Sequence, residues 1–223
     1  MNIAIIPARI GSKRIFQKNI KFFYGKPIIL HTLNKVVKSK IFDEIIVTSD
    51  SKKVFKIVNN KNILFHKRSA KKSGDRASTI SAINSCIDYF NFNSEDNICC
   101  IYPCSVFIKK DDLKKTLSIL NKNPNNFITP VLKYTHPIQR SFKLVSKNKV
   151  LLNNRNNTLN NTQKFKSNFH DAGQFYWAKK KVWSKSVSIL QNSLAYKLSV
   201  WAAVDIDDDE TWKKAEILYN KFK

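Results

Sequence analysis

Two kinds of hydrophobic pattern alternate along this chain. Short continuous apolar runs give way to stretches whose apolar residues recur every three or four positions. The first run, MNIAII at residues 1–6, is β-branched and reads as a buried strand. Gly25-Lys26-Pro27 then punctuates, and Ile28, Ile29, Leu33, Val36 and Val37 follow at helical spacing, with Pro27 suited to a first turn. Glu44 to Ser49 predicts a second buried strand, and Asp50-Ser51 a cap for a helix carrying Val54, Phe55 and Val58. Further strands are predicted at Ile63–Phe65, Asn97–Tyr102 and Asn126–Val131, and helices at Thr79–Tyr89 and from Asp111-Asp112 to Leu120. Strands that are apolar throughout and alternate with helices imply a mainly parallel sheet covered on both faces.

From Lys133 to about Phe169 the pattern loosens. Ser141–Val145 and Lys149–Leu152 fit a hairpin, and Asn153–Asn161 an exposed loop, so this segment reads as an arm inserted into one domain spanning residues 1–223. Gly173–Trp177 returns to strand, Val200–Ile206 predicts the last strand, and Asp208–Phe222 the closing helix. Ligands of such sheets bind at the carboxyl ends of the strands, which directs attention to the loops there.

The loop after the first strand carries Arg9, Lys13, Arg14, Lys18 and Lys21 around Gly11-Ser12. Glycine lets a backbone approach a ligand, successive N–H groups can cradle an anion, and Lys and Arg add charge and donors. A phosphate site and a solvated basic turn both fit this composition, and neither the P-loop nor the dinucleotide spacing is present. Asp205 and Asp207, in VDID, alternate along the predicted last strand and so share a face. Two adjacent carboxylates repel, and a hard divalent cation such as Mg²⁺ relieves that; capping of the last helix by Asp207-Asp208-Asp209 is the other reading.

PARIGSKRIFQKN at Pro7–Asn19 resembles the N-terminal motif of the CMP-sugar synthetases, the cytidylyltransferases that activate nine-carbon nonulosonic acids. Ile10 stands where that family has glycine and Phe16 where it has proline. RSAKKSGDRASTI at Arg68–Ile80 resembles a second motif of the family through Arg68, Asp75, Ser78, Thr79 and Ile80, with Ser69 and Lys72 departing from it. YPCSVF at Tyr102–Phe107 lies where the family has its cytosine-binding turn, and agrees with the pseudaminic acid branch at Tyr102 and Phe107 but not at Cys104 and Val106. HDAGQFYW at His170–Trp177 and Pro137–Arg140 resemble the same branch.

The resemblance implies a Rossmann-like nucleotide-diphospho-sugar transferase fold. It implies transfer of CMP from CTP to pseudaminic acid, for surface glycan or flagellin glycosylation, with sialic or legionaminic acid as alternative acceptors. It places Arg9, Gly11, Ser12, Lys13, Lys18, Asn19, Arg68, Asp75 and Ser78 on the nucleotide. Gln139, Arg140, Gln174 and Tyr176 are placed on the sugar, Gln174 offering both a donor and an acceptor. Mg²⁺ falls to Asp205 and Asp207, which with Arg9 and Lys13 form the catalytic set. A homodimer joined through the arm is implied as well.

Hydrophobic residues make up 43% of 223, enough for a packed core, and no apolar run approaches the roughly 18 residues of a membrane span. The start of the chain has no signal-peptide pattern, so a cytoplasmic protein is expected. The net charge of +24 would suit a nucleic-acid binder, the rival class of function. The lysines are scattered, however, with no aromatic-interleaved basic stripe, so no specific nucleic-acid partner is expected. Cys86, Cys99, Cys100 and Cys104 lack zinc spacing and read as buried thiols; His31, His66 and His136 read as structural.

Overall fold

The computed structural model describes residues 1–69, 78–153 and 161–221. Its strands are β1 (Asn2–Pro7), β2 (Phe22–Phe23), β3 (Lys26–Pro27), β4 (Glu44–Ser49), β5 (Leu64–Lys67), β6 (Asn97–Ile101), β7 (Phe127–Lys133), β8 (Phe142–Val145), β9 (Lys149–Leu152), β10 (Phe169–Asp171), β11 (Phe175–Lys179) and β12 (Ser193–Lys197). Its helices are α1 (Ile28–Ser39), α2 (Lys52–Val58), α3 (Thr79–Phe90), α4 (Lys110–Lys122), α5 (Lys180–Lys185) and α6 (Asp209–Lys221). The main sheet runs β10-β7-β11-β6-β1-β4-β5, with β12 also pairing with β7. Strands β5, β4, β1 and β6 are mutually parallel, whereas β11 is antiparallel to β6 and β10 antiparallel to β7. The expected α/β fold with a mostly parallel sheet flanked by helices is therefore present.

The period-2 alternation of buried strands divides the interior into two cores. On β1, Ala4 and Ile6 face one cluster with Leu33, Val36 and Trp177, while Ile3 and Ile5 face the other with Ile83, Ile87 and Trp183. Fully buried side chains of this size each stabilise the fold by roughly 1.5–3 kcal/mol. Cys99 and Cys100 divide between the two cores in the same way, and all four cysteines are buried and free. His31 and His66 are buried structural residues: His31 meets Tyr219 Oη at 3.0 Å and the Phe23 carbonyl at 2.6 Å, and His66 meets Thr48 Oγ1 at 2.8 Å.

Two strand expectations are corrected. Val200–Ile206 forms no strand: Val204 and Ile206 pack into a further cluster with Ile15, Phe23 and Trp212, and Ala203 into a small one with Leu132 and Ala172, without joining a ladder. The strand that pairs with β7 is instead β12, half-exposed and lying just before that run. Gly173 is also outside any strand. With φ +60° it breaks what would be one strand into β10 and β11, and the break places Asp171, Gly173 and Gln174 at the edge of a cavity.

The β8–β9 hairpin forms its own two-stranded sheet, as the pattern implied. The segment expected as an arm runs from the end of β7 at Lys133 to the start of β10 at Phe169. Residues 154–160 of its loop lie outside the described residues. No helix among the described residues is long and apolar enough to cross a membrane.

Candidate active site

A cavity of about 710 Å³ opens at the carboxyl ends of β1, β5 and β6, where Pro7, Arg68 and Tyr102 mark the strand exits. Its walls bring together Arg9, Ser12, Lys13, Lys18, Asn19, Arg68, Ser78, Gln174, Tyr176, Asp205 and Asp207 from widely separated parts of the chain. Five cations and three carboxylates (Asp171, Asp205 and Asp207) line it, an arrangement suited to a polyanionic ligand that carries a cation.

The basic loop is held by its backbone. Ala8 N–H donates to the Thr48 carbonyl at 2.9 Å, Ile10 N–H to Asp50 Oδ1 at 3.1 Å, and Asn19 Nδ2 to the Arg9 carbonyl at 2.9 Å. Ile10 packs against the core, which gives its side chain an anchoring role in a position glycine could not fill. Asn19 is buried and spends its amide on Arg9 and Cys104, so it positions the loop. Gly11 is in neither the left-handed region nor close quarters: a Cβ there would meet nothing within 4 Å. The expected conformational need for glycine at that position is not met within the protein. Of the expected cap pair Asp50-Ser51, Ser51 caps α2 by accepting from Lys53 N–H, which leaves Asp50 to the loop.

Arg68 is only 5% exposed, and its Nε and Nη2 have no hydrogen-bond partner among the described residues. Burial pulls its ordinarily very high pKa down, with Asp50 opposing and Arg9 adding to the fall. A buried guanidinium with unused donors at a cavity wall is costly until an anion arrives. Asp75 lies outside the described residues, and Ser78 caps α3 by accepting from Ser81 N–H at 3.1 Å while lining the cavity.

The acidic wall is an extended segment. Burial of Val204 and Ile206 leaves Asp205 and Asp207 both on the cavity, so the shared face survives without a strand. Lys18 Nζ bonds the Ile206 carbonyl and pairs with Asp207 at 3.2 Å, and Arg14 pairs with Asp207 at 2.9 Å. Helix capping falls to Asp208, which accepts from Thr211 N–H at 2.8 Å. Partial burial and the neighbouring Asp207 carboxylate hold Asp205 above the ordinary carboxylate range, partly offset by Lys18 and Arg14. Gly173 makes room for that carboxylate: a Cβ on it would stand 2.9 Å from Asp205 Cγ.

Beside Gly173 on the same wall, Gln174 is buried and its Nε2 donates to the carbonyls of Ala172, Gly173 and Val204. The amide is therefore not free to offer both a donor and an acceptor to a sugar; its Oε1 has no partner among the described residues. Tyr176 is likewise committed, its hydroxyl donating to Asp171 Oδ2 at 2.8 Å. Gln139 and Arg140 are not brought to the cavity: they sit in a short 3₁₀ turn, Ile138–Arg140, on the arm. Asp171, unassigned from sequence, does line the cavity, and its signal was its place in HDAGQFYW. Burial raises the Cys104 thiol to about 12, so this wall residue is not a nucleophile at neutral pH.

Comparison with known proteins gives this geometry a family. The chain is 31% identical over 231 residues to a protein of Campylobacter jejuni named pseudaminic acid cytidylyltransferase, covering 98% of this chain and 96% of that one. A bifunctional Helicobacter pylori protein, named pseudaminic acid cytidylyltransferase and UDP-2,4-diacetamido-2,4,6-trideoxy-beta-L-altropyranose hydrolase, is 31% identical over 207 residues, covering 92% of this chain and 40% of that one. The fold matches that of a CMP:2-keto-3-deoxy-manno-octonic acid synthetase solved with CTP, at a TM-score of 0.71, 16% identity, and coverage of 100% of this chain and 99% of that one. The family described as Cytidylyltransferase matches residues 3–220, and the chain belongs to it as a nucleotidyltransferase.

Proposed function

We propose that this protein is a pseudaminic acid cytidylyltransferase, transferring CMP from CTP to pseudaminic acid and releasing pyrophosphate. The reading is carried by one observation: a chain similar over nearly its full length to a protein of that name has a cavity with a cationic wall facing a carboxylate pair. The anomeric hydroxyl of the sugar attacks the α-phosphorus, and the bond from that phosphorus to the β-phosphate bridging oxygen breaks. Such chemistry depends on positioning and charge neutralisation more than on covalent participation by the protein. Arg9 and Lys13 neutralise the phosphates from the loop, and Arg68 gains an acceptor for its unused donors.

The carboxylate pair fits Mg²⁺ in donor chemistry, since Asp205 is held above the ordinary range beside Asp207 and Gly173 leaves the space a side chain would fill. Asp205 and Asp207 would hold the ion, which supplies charge neutralisation at phosphate oxygens when bound. Lys18 and Arg14 hold Asp207 in place through their ion pairs with it.

Within this reading the protein works in the cytoplasm as a homodimer and has no specific nucleic-acid partner. The arm supports the dimer: Phe142, Leu144, Val150 and Leu151 are exposed on β8–β9, with Leu144 76% exposed, and a second copy would cover them.

The test is incubation of the purified protein with CTP, Mg²⁺ and, separately, pseudaminic, sialic and legionaminic acids, with pyrophosphate release measured and the product weighed by mass spectrometry. The highest kcat/KM is expected with pseudaminic acid. A preference for sialic acid would refute the assignment.

A further inference from the structure

We propose that Gln174 is a positioning residue for the acidic wall, its buried amide clamping the backbone beside Asp205, a role that rests on the reading of Asp205 and Asp207 as the cation site. Val200–Ile206 has no strand partner, so no ladder of hydrogen bonds sets where its carboxylates stand over the cavity. Side chains set it instead. The two residues flanking Asp205 each have their carbonyl held by a donor from a distant part of the chain. Val204 O accepts from Gln174 Nε2 at 3.2 Å, and Ile206 O accepts from Lys18 Nζ. Asp205 is thereby bracketed, with Gln174 on one side and Lys18 on the other.

Gln174 is anchored well enough to serve as that clamp. Its own carbonyl accepts from Tyr102 N–H at 2.9 Å and from Ser105 Oγ at 2.7 Å, which ties it to the turn after β6. Its Nε2 also donates to the carbonyls of Ala172 and Gly173, at 3.2 and 3.3 Å. Turning the amide over would set Oε1 against all three carbonyls, acceptor facing acceptor, so a single orientation is locked in. One side chain thus joins three pieces that meet at the cavity: the turn after β6, the break between β10 and β11, and the acidic segment.

Gly173 and Gln174 divide the work. The glycine leaves the space that the Asp205 carboxylate occupies, and the glutamine sets how far the segment carrying that carboxylate stands from the strand break. Val204 is buried, so loss of its donor would strand a carbonyl inside the protein and push the segment to seek another partner. Groups that hold the ligands of a cation in place typically cost 10–100-fold in metal affinity when removed. A residue that touched the acceptor sugar would change KM for the sugar instead, and the two roles separate on that difference.

Two variants test this. Gln174→Met keeps the length of the side chain and removes its donors; Ser105→Ala releases one of the two grips on the Gln174 carbonyl. Mn²⁺ is titrated into each protein, alone and with equimolar CTP, and followed by electron paramagnetic resonance. Gln174→Met should weaken Mn²⁺ binding roughly 10–100-fold and raise the Mg²⁺ needed for half-maximal turnover to match. Its KM for pseudaminic acid at saturating Mg²⁺, and its metal-free affinity for CTP by calorimetry, should stay within about threefold of the unmodified protein. Ser105→Ala should act in the same direction by about two- to tenfold, as for one neutral hydrogen bond, and decides alone if Gln174→Met does not fold. Unchanged Mn²⁺ affinity with a raised KM for the sugar would make Gln174 a sugar contact and overturn the proposal. A parallel fall in metal-free CTP affinity would make it a structural prop, with the same result, and so would failure of the unmodified protein to bind Mn²⁺ in either condition. Mn²⁺ binding is read without turnover, so an unmodified protein that converts no nonulosonic acid would refute the functional reading and not the clamp.

Discussion

Replacing Gly173 with alanine should damage catalysis far more than stability, and the two costs can be worked out separately. Gly173 sits at φ +60°, where an L-residue with a Cβ costs roughly 1–2 kcal/mol. Alanine stiffens the unfolded chain and returns about 0.4–1 kcal/mol of that, so the backbone term alone is near 1 kcal/mol. For a chain of this size that is a fall of about 2–4 °C in Tm. The second cost is local. The new Cβ would stand 2.9 Å from Asp205 Cγ and 3.0 Å from its Oδ2, so the carboxylate must withdraw.

A displacement of a reacting group by about 1 Å can lower turnover on the order of 100-fold. Gly25 supplies the control, since it too has positive φ, +79°, but a Cβ there would meet nothing within 4 Å. Gly25→Ala should therefore show the Tm shift without the catalytic loss. The assay is pyrophosphate release, with kcat/KM for both substrates and thermal denaturation of both variants. If Gly173→Ala keeps kcat/KM within about threefold of the unmodified protein, Asp205 and the space beside it do not have the catalytic role assigned to them.

Other consequences are as direct. Arg9→Ala and Lys13→Ala should each lower kcat/KM by roughly 100-fold or more; a loss under fivefold in both would remove the phosphates from the loop. Arg68→Met should weaken CTP binding in calorimetry while leaving Tm unchanged or higher, because a buried cation with unused donors is removed; a marked fall in Tm would show that its value is structural. Asp205 has a folded-state pKa above its unfolded one, so its ionisation costs stability as pH rises through the folded value. Asp205→Asn should accordingly raise Tm at neutral pH without Mg²⁺ while abolishing turnover, and a lower Tm would contradict the sign. In the unmodified enzyme the acid limb of the pH–rate profile should move to lower pH as Mg²⁺ is raised, since ion and proton compete for one carboxylate; an inflection indifferent to Mg²⁺ would count against the metal assignment.

What the sequence made legible was set by how local the cause was. Strands such as β1 and β6 and helices such as α1 carry their own periodicity, and the cationic loop announces itself by following a strand. The run at Val200–Ile206 looked like a strand because burial and pairing leave the same apolar trace, and in this fold the apolar side chains serve clusters, not a ladder. Strand β12 was hidden for the converse reason, being paired but only half-buried. At the site, the shared face of Asp205 and Asp207 needed only alternation to be seen. The fixing of Asp171 needed the strand break at Gly173, and the use of Asp50 needed a partner, Ile10, 40 residues away. Gln139 and Arg140 were named only through resemblance, and nothing in their own neighbourhood ties them to the cavity.

The grip of Lys18 on Ile206 and Asp207 spans 188 residues. At about 5–20 residues per second, a ribosome making this chain needs roughly 10–40 s to travel from one partner to the other. During that interval the basic loop has been synthesised and its acidic counterpart has not. Tyr24 and His31 wait for Glu216 and Tyr219 of α6, which emerge later still. The parallel strands can assemble on the nascent chain early, but the wall that completes the cavity arrives near the end of translation. A nascent chain stalled before Asp205 would therefore display half of a nucleotide site, the cationic half, with the charge to attract polyanions and no means of turning them over.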